Sequence, residues 1–309
     1  MFVTVTEGIH KLVVKFPKGM GEINSYLIKG AHGYTVIDTG TNSKEAKGTW
    51  NDVLDKGIPI EKIVLTHTHQ DHIGLAKWFQ QVHEIPVYVS DYSYQEMKCR
   101  RETNTKKKLA CLVRKHGVSN FPEKSENESD IYNFEPNGIF TKDENIKLGD
   151  EKYETIWTPG HAWDHFCFYQ RNKQLMIIGD HILKDVSPVI GLWTGEEANP
   201  LKEYFNSLFL LTNYPTTIAL PGHGDPIYHL SDRIEELRKR HVTRLKQVFA
   251  SVKDEAKTAH QVCYEIYGTT NIILILSSFM ATLTRLLYLE SMDKVRREEV
   301  DGKVTFKAI

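Results

Sequence analysis

The segment Lys62–Thr66 (KIVLT) is a continuous apolar strand of the kind buried inside a sheet, and it runs directly into His67-Thr68-His69-Gln70-Asp71-His72. No other stretch restricts the possible fold as strongly. Side chains two residues apart in extended chain point the same way, so His67 and His69 can share one metal ion. The chain then turns towards a helix at Ile73, which swings Asp71 and His72 to a neighbouring position. One short segment can thereby serve two adjacent ions. Imidazole and carboxylate donors suit zinc, and iron and manganese accept the same set.

Three further clusters follow, each after a strand-like run and each beside glycine: Thr158-Pro159-Gly160-His161, Gly179-Asp180-His181 and Pro221-Gly222-His223-Gly224. Glycine lets the backbone approach a crowded site and adopt positive φ. Strand ends and loops are also where sites sit on a rigid scaffold. A lone histidine at a strand end is ordinarily structural, but four such clusters in order point to a metal centre.

Elsewhere the pattern alternates strand and helix. Strands are expected at Ile9–Val14, Ser25–Lys29 and Tyr34–Asp38, the last two joined as a hairpin through Gly30–Gly33. Ser43 can cap a helix to about Asp55, ended by Gly57 and Pro59. Ile73–Gln81 reads as helix and Val87–Ser90 as strand. Asp91–His116 reads as helix rich in positive charge, with Lys98, Arg100, Arg101, Lys106, Lys107, Lys108, Arg114 and Lys115. The polar, acidic stretch Pro122–Asn137 follows, and residues 91–145 together suggest an insertion or lid. Strands resume at Tyr153–Trp157, Phe166–Tyr169, Leu175–Ile178 and Thr217–Leu220, with helix Leu201–Leu211 before the last. After Pro226, Ile234, Leu237, His241, Leu245 and Val248 form one amphipathic face. Helices at Ala256–Tyr267 and Ser277–Ser291, then a hairpin at Asp301-Gly302, complete the order of a winged-helix module. Two units are expected: a catalytic one over 1–228 and a helical, winged-helix-like one over 229–309.

Composition excludes several classes. With 40% hydrophobic and 26% charged residues, the 309-residue chain reads as a soluble globular protein. Its 39 Lys+Arg against 40 Asp+Glu give a net charge of −1, so a nucleic acid or membrane would have to be recognised by a local patch. Cys99, Cys111, Cys167 and Cys263 form no CxxC pair, which excludes a zinc ribbon or thioredoxin-type pair and fits thiols in a reducing cytoplasm. The opening MFVTVTEGIHKLVV lacks a basic region followed by an apolar one, so no signal peptide is expected. The longest apolar run, Ile272–Leu276 with Phe279–Ala281 beyond, is too short to span a membrane. Without secretion the sequon Asn127-Glu128-Ser129 carries no meaning.

HxHxDH, TPGH, GDH and PGHG in this order resemble the metallo-β-lactamase superfamily, more closely its glyoxalase-II-like branch, over about Gly8 to Asp225. The resemblance implies an α/β fold, an αββα sandwich with metal ions at one edge of its two sheets. It implies that His67, His69 and His161 bind one divalent ion, that Asp71, His72 and His223 bind a second, and that Asp180 bridges them. Zinc is the first expectation, with iron or manganese as alternatives. The C-terminal part resembles, less specifically, the helical and winged-helix extension of bacterial and beta-lactamase-like-protein-2-like members. Zinc β-lactamases of the commonest subclass carry arginine at the position of His72 and cysteine at that of Asp180, and flavodiiron proteins carry glutamate in place of His69. This chain departs from both.

The chemistry so implied is hydrolysis of an ester, thioester or lactone carbonyl by a hydroxide shared between two ions, since metal binding lowers the pKa of water towards about 7. Asp71 is expected to orient the nucleophile while binding the second ion. His165 is expected either to face the substrate and donate a proton or to be a packed strand-start histidine. Asp38, in VIDTG, is a candidate acceptor for a ligand N–H, or else a simple turn aspartate, and His181 supports rather than ligates. The basic helix is either a solvated face or a lid whose cations hold an acidic substrate tail such as a phosphate, coenzyme A or an RNA backbone. Tyr92 and Tyr94 either line the pocket or pack. The partner is a small molecule, no membrane is involved, and a homodimer interface is one use for the extension. The alternative is an endoribonuclease or phosphodiesterase on the same site, against which the mixed charges Arg296, Arg297, Glu298 and Glu299 of the wing speak. A single-iron persulfide dioxygenase leaves the second ligand set without a purpose, and a DNA-binding regulator leaves every ligand unexplained.

Overall fold

A computed structural model describes residues 2–17, 21–102, 105–119, 121, 128–268 and 272–309. Asn127 of the sequon and positions 122–127 of the acidic stretch lie outside them. A seven-stranded sheet runs in the order β1 (Val3–Thr6), β2 (Ile9–Lys15), β3 (Glu22–Lys29), β4 (Tyr34–Ile37), β5 (Ile60–Val64), β6 (Val87–Ser90) and β7 (Gly138–Phe140). It is antiparallel up to β4 and parallel from β4 to β7. A five-stranded sheet places β8 (Asn145–Leu148), β9 (Glu151–Trp157), β10 (Phe166–Gln170), β11 (Leu175–Gly179) and β12 (Ile218–Pro221) side by side.

Strand periodicity sorts side chains between layers. On β10, Phe166 and Phe168 enter the core between the sheets, with Tyr26, Val64 and Leu220. Cys167 and Tyr169 point the other way, into a helical layer. Both faces of these strands are covered, which is why FCFYQ and LMIIG are apolar without alternation. Each fully buried Leu, Ile or Phe contributes about 1.5–3 kcal/mol. Helices α1 (Lys44–Leu54), α3 (Ala76–His83) and α4 (Asp91–Glu102) cover the first sheet through Trp50, Phe79 and Met97. Helices α5 (Thr105–Lys115) and α6 (Pro200–Leu211) cover the second through Val113, Tyr204 and Leu208. The architecture is the αββα sandwich expected.

Local signals account for several boundaries. The Ser43 side chain accepts from the Ala46 N–H and caps α1. The helix expected at Ile73–Gln81 is split into α2 (Gln70–Ile73) and α3, with Gly74 at the break. Asp91–His116 forms two helices, and β7 of the same 91–145 stretch joins the first sheet alongside β6. Strands β1, β7 and β8 escaped the sequence pattern because they are short.

At the C-terminus stand α7 (Leu230–Ser251), α8 (Ala259–Tyr267), α9 (Ile272–Ser291), β13 (Val295–Val300) and β14 (Lys303–Ala308). Thr258 and Gln261 form a capping box on α8. Asp301 and Gly302, both at positive φ, turn the hairpin. Leu237, Val248, Phe279 and Leu283 share one continuous core with Cys167, Met176 and Ile178 of the second sheet. The extension is therefore built onto the sandwich. Among the described residues no helix is long and apolar enough to cross a membrane.

Candidate metal centre

The loops that leave β5, β9, β11 and β12 converge at one edge of the two sheets. His67 and His69 follow β5, and Asp71 and His72 lie on α2. His161, Asp180 and His223 follow β9, β11 and β12. All seven expected ligands come together in two groups, His67 with His69 and His161, and Asp71 with His72, Asp180 and His223. Within each group one donor atom per residue lies within 4.8 Å of the others. Asp180 Oδ2 is 3.3 Å from His72 Nε2, 3.3 Å from His223 Nε2 and 3.6 Å from His161 Nε2, so it faces both groups.

The surrounding hydrogen bonds decide which ring nitrogen faces inward. His161 Nδ1 donates to the Val189 carbonyl at 3.0 Å, and His223 Nδ1 donates to the Glu22 carbonyl at 2.6 Å. His72 Nδ1 meets Asp38 Oδ2 at 2.8 Å. The Thr66 hydroxyl donates to Asp38 Oδ2 at 2.7 Å, so it can only accept from His67 Nδ1 at 2.9 Å. Each Nδ1 thus carries a proton, and Nε2 is the atom that each ring turns to the centre, where a bound cation would take the place of a proton. His67 Nε2, His72 Nε2, His161 Nε2 and Asp180 Oδ1 are buried with no hydrogen-bond partner among the described residues. Buried lone pairs converging on carboxylates without a donor between them are costly, and metal cations are the groups this donor set fits.

Charge gives the same answer. Burial holds His67 and His69 well below the usual histidine range, with neighbouring imidazoles lowering both further. Burial also disfavours charge on His223, but hydrogen bonds to Asp180 and Asp71 outweigh it and lift this ring to about 10. His72 likewise ends well above its ordinary value, held there against burial by Asp180, Asp38 and Asp71. The carboxylates of the second group call for positive charge at the point where Nε2 atoms meet.

Close backbone approach needs the predicted glycines. A Cβ at Gly179, whose φ is +49°, would meet His165 Nε2 at 2.6 Å. One at Gly222 would strike Asp180 Oδ1 and come within 2.9 Å of His72 Cε1.

Asp38 is the acceptor anticipated from the sequence. Its carboxylate accepts from His72 Nδ1, the Thr66 N–H and the Thr66 hydroxyl, and its own φ of +59° aims it there. Of the two readings of His165, its burial fits the packed strand-start histidine and not a proton donor that faces a substrate. It is fully buried, its Nε2 accepts from the Asp180 N–H at 3.1 Å, and its Nδ1 donates to the Thr158 hydroxyl at 2.8 Å. Burial holds it well below the usual histidine range, with His181 lowering it further, and its ring anchors the Asp180 N–H. His181 is fully buried, its pKa pushed down to about 3 by burial, and lies outside both groups.

Some site residues gave no sequence signal. Asp164 Oδ2 accepts from the Thr68 N–H at 2.9 Å and the Ser93 hydroxyl at 2.8 Å, tying the histidine loop to α4. Trp163, 56% exposed between His161 and His165, stands 4.8 Å from the Trp157 ring, which is 4.8 Å from Tyr92. An exposed tryptophan within HAWDH was the available clue. Val189 could not be found from sequence because it acts through its carbonyl. Half of the basic run meets carboxylates: Arg100 pairs with Glu96, Arg101 with Glu135, Lys108 with Glu196 and Lys115 with Glu197.

A sandwich whose two sheets end in a shared His/Asp centre defines a metal-binding α/β hydrolase scaffold. The metallo-beta-lactamase superfamily profile matches residues 19–223, and the chain belongs to that superfamily and is a metallo-hydrolase by class. It is 29% identical over 274 residues to the "Probable metallo-hydrolase YqjP" of Bacillus subtilis, covering 85% of this chain and 86% of that one. It is 27% identical to the "Atrochrysone carboxyl ACP thioesterase" of Passalora fulva, over 92% of this chain and 72% of that one. The crystal structure of the metallo-beta-lactamase family protein TTHA1429 from Thermus thermophilus superposes with a TM-score of 0.85 at 26% identity, covering 99% of this chain and all of that one.

Proposed function

We propose that this protein is a two-metal hydrolase acting on a thioester or a related activated carbonyl, an ester or lactone, with zinc as the resident ion. The observation that carries the reading is Asp180 Oδ2, set between two groups of inward-facing donors. His67, His69 and His161 would hold one ion, and Asp71, His72 and His223 the other, with Asp180 shared. Ions so held polarise a carbonyl and make water nucleophilic near neutral pH. The chain's own residues supply the remainder. Asp71 is only partly covered, and although burial opposes its charge, His72 and His223 keep it ionised, so it can accept a hydrogen bond from an attacking water and orient it. His165 and Asp38 hold Asp180 and His72 in place. Trp163 and Trp157 offer an apolar wall beside His161 for the acyl part. A thioester is placed first because a relative matched over 92% of this chain is named a thioesterase.

The ribonuclease alternative draws less support. In the terminal hairpin Arg297 is bound by Glu197 and Glu290, and Arg296 lies 3.4 Å from Glu298, so both arginines are already engaged by carboxylates a phosphate backbone would have to displace. The test is a panel of thioesters, esters and lactones with metal-replete protein. Turnover that disappears in His69→Ala is expected, and no turnover of any member would sink the proposal.

A further inference from the structure

Cationic side chains also gather on the C-terminal helices, away from the basic run. A cleft of about 750 Å³ between α7, α9 and the loop after β11 is lined by Ser187, Lys239, Arg240, His241, Arg244 and Arg285, among others. Arg285 is only 8% exposed. Its Nη1 donates to the Ala281 carbonyl at 2.9 Å, while its Nε has no partner among the described residues. His241 is 3% exposed, and neither of its ring nitrogens has a partner there. Glu236, the carboxylate of the cleft, is engaged by Arg233 at 2.6 Å and Arg240 at 2.5 Å. Arg244 rests against the Gln247 amide and the Tyr267 ring. Among the described residues no carboxylate lies within salt-bridge distance of Arg244 or Arg285. A buried guanidinium without a carboxylate counter-ion is costly: burial pulls Arg285 below its usual value although the Tyr267 hydroxyl hydrogen-bonds it and opposes this, and Arg244 lowers it further. An anion with several oxygens, seated between two guanidiniums, would relieve both.

The cleft shares a wall with the metal centre. Ser187 lines it, and Val189, two residues on and so within about 7 Å of chain, holds His161 Nδ1. Arg233 pins this loop to α7 through the Leu183 and Val186 carbonyls, and Thr284 of α9 bonds the Ile190 carbonyl. The rings of His181, Tyr204 and His241 also touch in series from beside Asp180 to the cleft, tilted or edge-on at 4.8 and 5.2 Å between centroids.

We propose that this cleft is a phosphate subsite, which on the thioester reading takes the phosphate of a phosphopantetheine-type arm while the acyl carbonyl lies at the metal centre. Inorganic phosphate titrated into the full-length, metal-replete protein by calorimetry tests the site. Arg244→Gln should weaken the cleft's binding at least 10-fold, and Arg244→Gln with Arg285→Met should abolish it. If the Arg285 variant melts early, Arg244→Gln with Lys239→Gln, both on the exposed helix face, replaces it. Kinetics test the link: wild type should prefer the thioester of 4′-phosphopantetheine over that of pantetheine, through KM, and the variants should lose that preference at least 10-fold. Phosphate binding indifferent to these substitutions overturns the proposal, as does equal kcat/KM for the two thioesters in wild type. Tighter Arg244-dependent binding of single-stranded RNA than of phosphopantetheine overturns the small-molecule assignment. If phosphate binds through Arg244 and Arg285 but no thioester, ester or lactone is cleaved, the proposed function fails and the anion site stands.

Discussion

The two halves of the metal centre are held in different ways. His72, in the half with two carboxylates, is oriented by a charged acceptor, Asp38, through a 2.8 Å contact. His67 and His161, in the imidazole half, are oriented by a threonine hydroxyl and a peptide carbonyl. Charge-assisted hydrogen bonds are roughly twice as strong as neutral ones. His72 therefore depends on one mutable, charged side chain, whereas His161 in the imidazole half and His223 in the carboxylate half rest on peptide carbonyls that no substitution removes. The halves are also joined, since Asp38 Oδ2 bonds the Thr66 hydroxyl that in turn holds His67.

Substitutions can break or sharpen this contrast. The largest effect is expected from Asp180→Ala, because its carboxylate faces both halves. Hydrolysis should fall by about 10³-fold or more, the several kcal/mol a metal centre contributes, with metal analysis showing loss at both positions. Asp38→Ala comes next. It should weaken metal binding by about 10–100-fold, with one ion per chain lost well before the other during chelator titration. Simultaneous loss of both ions would show that the halves are a single unit. His165→Ala leaves the Asp180 N–H without its acceptor, a cost of about 1–3 kcal/mol that should appear as a lower Tm. The pH profile of kcat/KM in this variant should keep its shape, and loss of one limb would restore His165 as a proton donor. Thr66→Val should be mildest, at about 1 kcal/mol, with metal affinity lowered less than in Asp38→Ala because a neutral acceptor is removed.

A second contrast concerns charge. The run Lys98–Lys115 is the most basic stretch to the eye, yet Arg100, Arg101, Lys108 and Lys115 each meet a carboxylate in the folded chain. Arg244 and Arg285 stand 41 positions apart in sequence and attract no notice there, but they line one cleft. Cationic residues are visible in sequence, whereas their neutralisation depends on acids brought close by folding, such as Glu196 and Glu197 from the loop before α6.

How much could be read beforehand follows the same division. The ligand runs were legible because each obeys a local rule: an apolar strand, then donors at extended-chain spacing or a glycine turn. The capping of α1 by Ser43, the Asp301-Gly302 hairpin and the amphipathic face of α7 are local in the same sense. His165 was ambiguous because its role turns on which side of β10 it enters, and on Asp180 arriving from β11 to meet it. Strand β8 was overlooked because Ile146 and Leu148 alternate over too short a span to stand out.

The amino-acid sequence by itself determined the chemistry of this protein: seven donors in four runs, each with the backbone freedom to crowd together. Tertiary structure alone decided the tautomers, since His161 meets Val189 and His72 meets Asp38 across 28 and 34 positions. It also decided that His165 is buried against the Asp180 N–H, and that two guanidiniums with no carboxylate partner among the described residues line a cleft one loop from the His/Asp centre. The physical reason is that hydrogen bonding and desolvation depend on distances in space, which sequence order sets only over the few residues spanned by a strand, a turn or a helical cap.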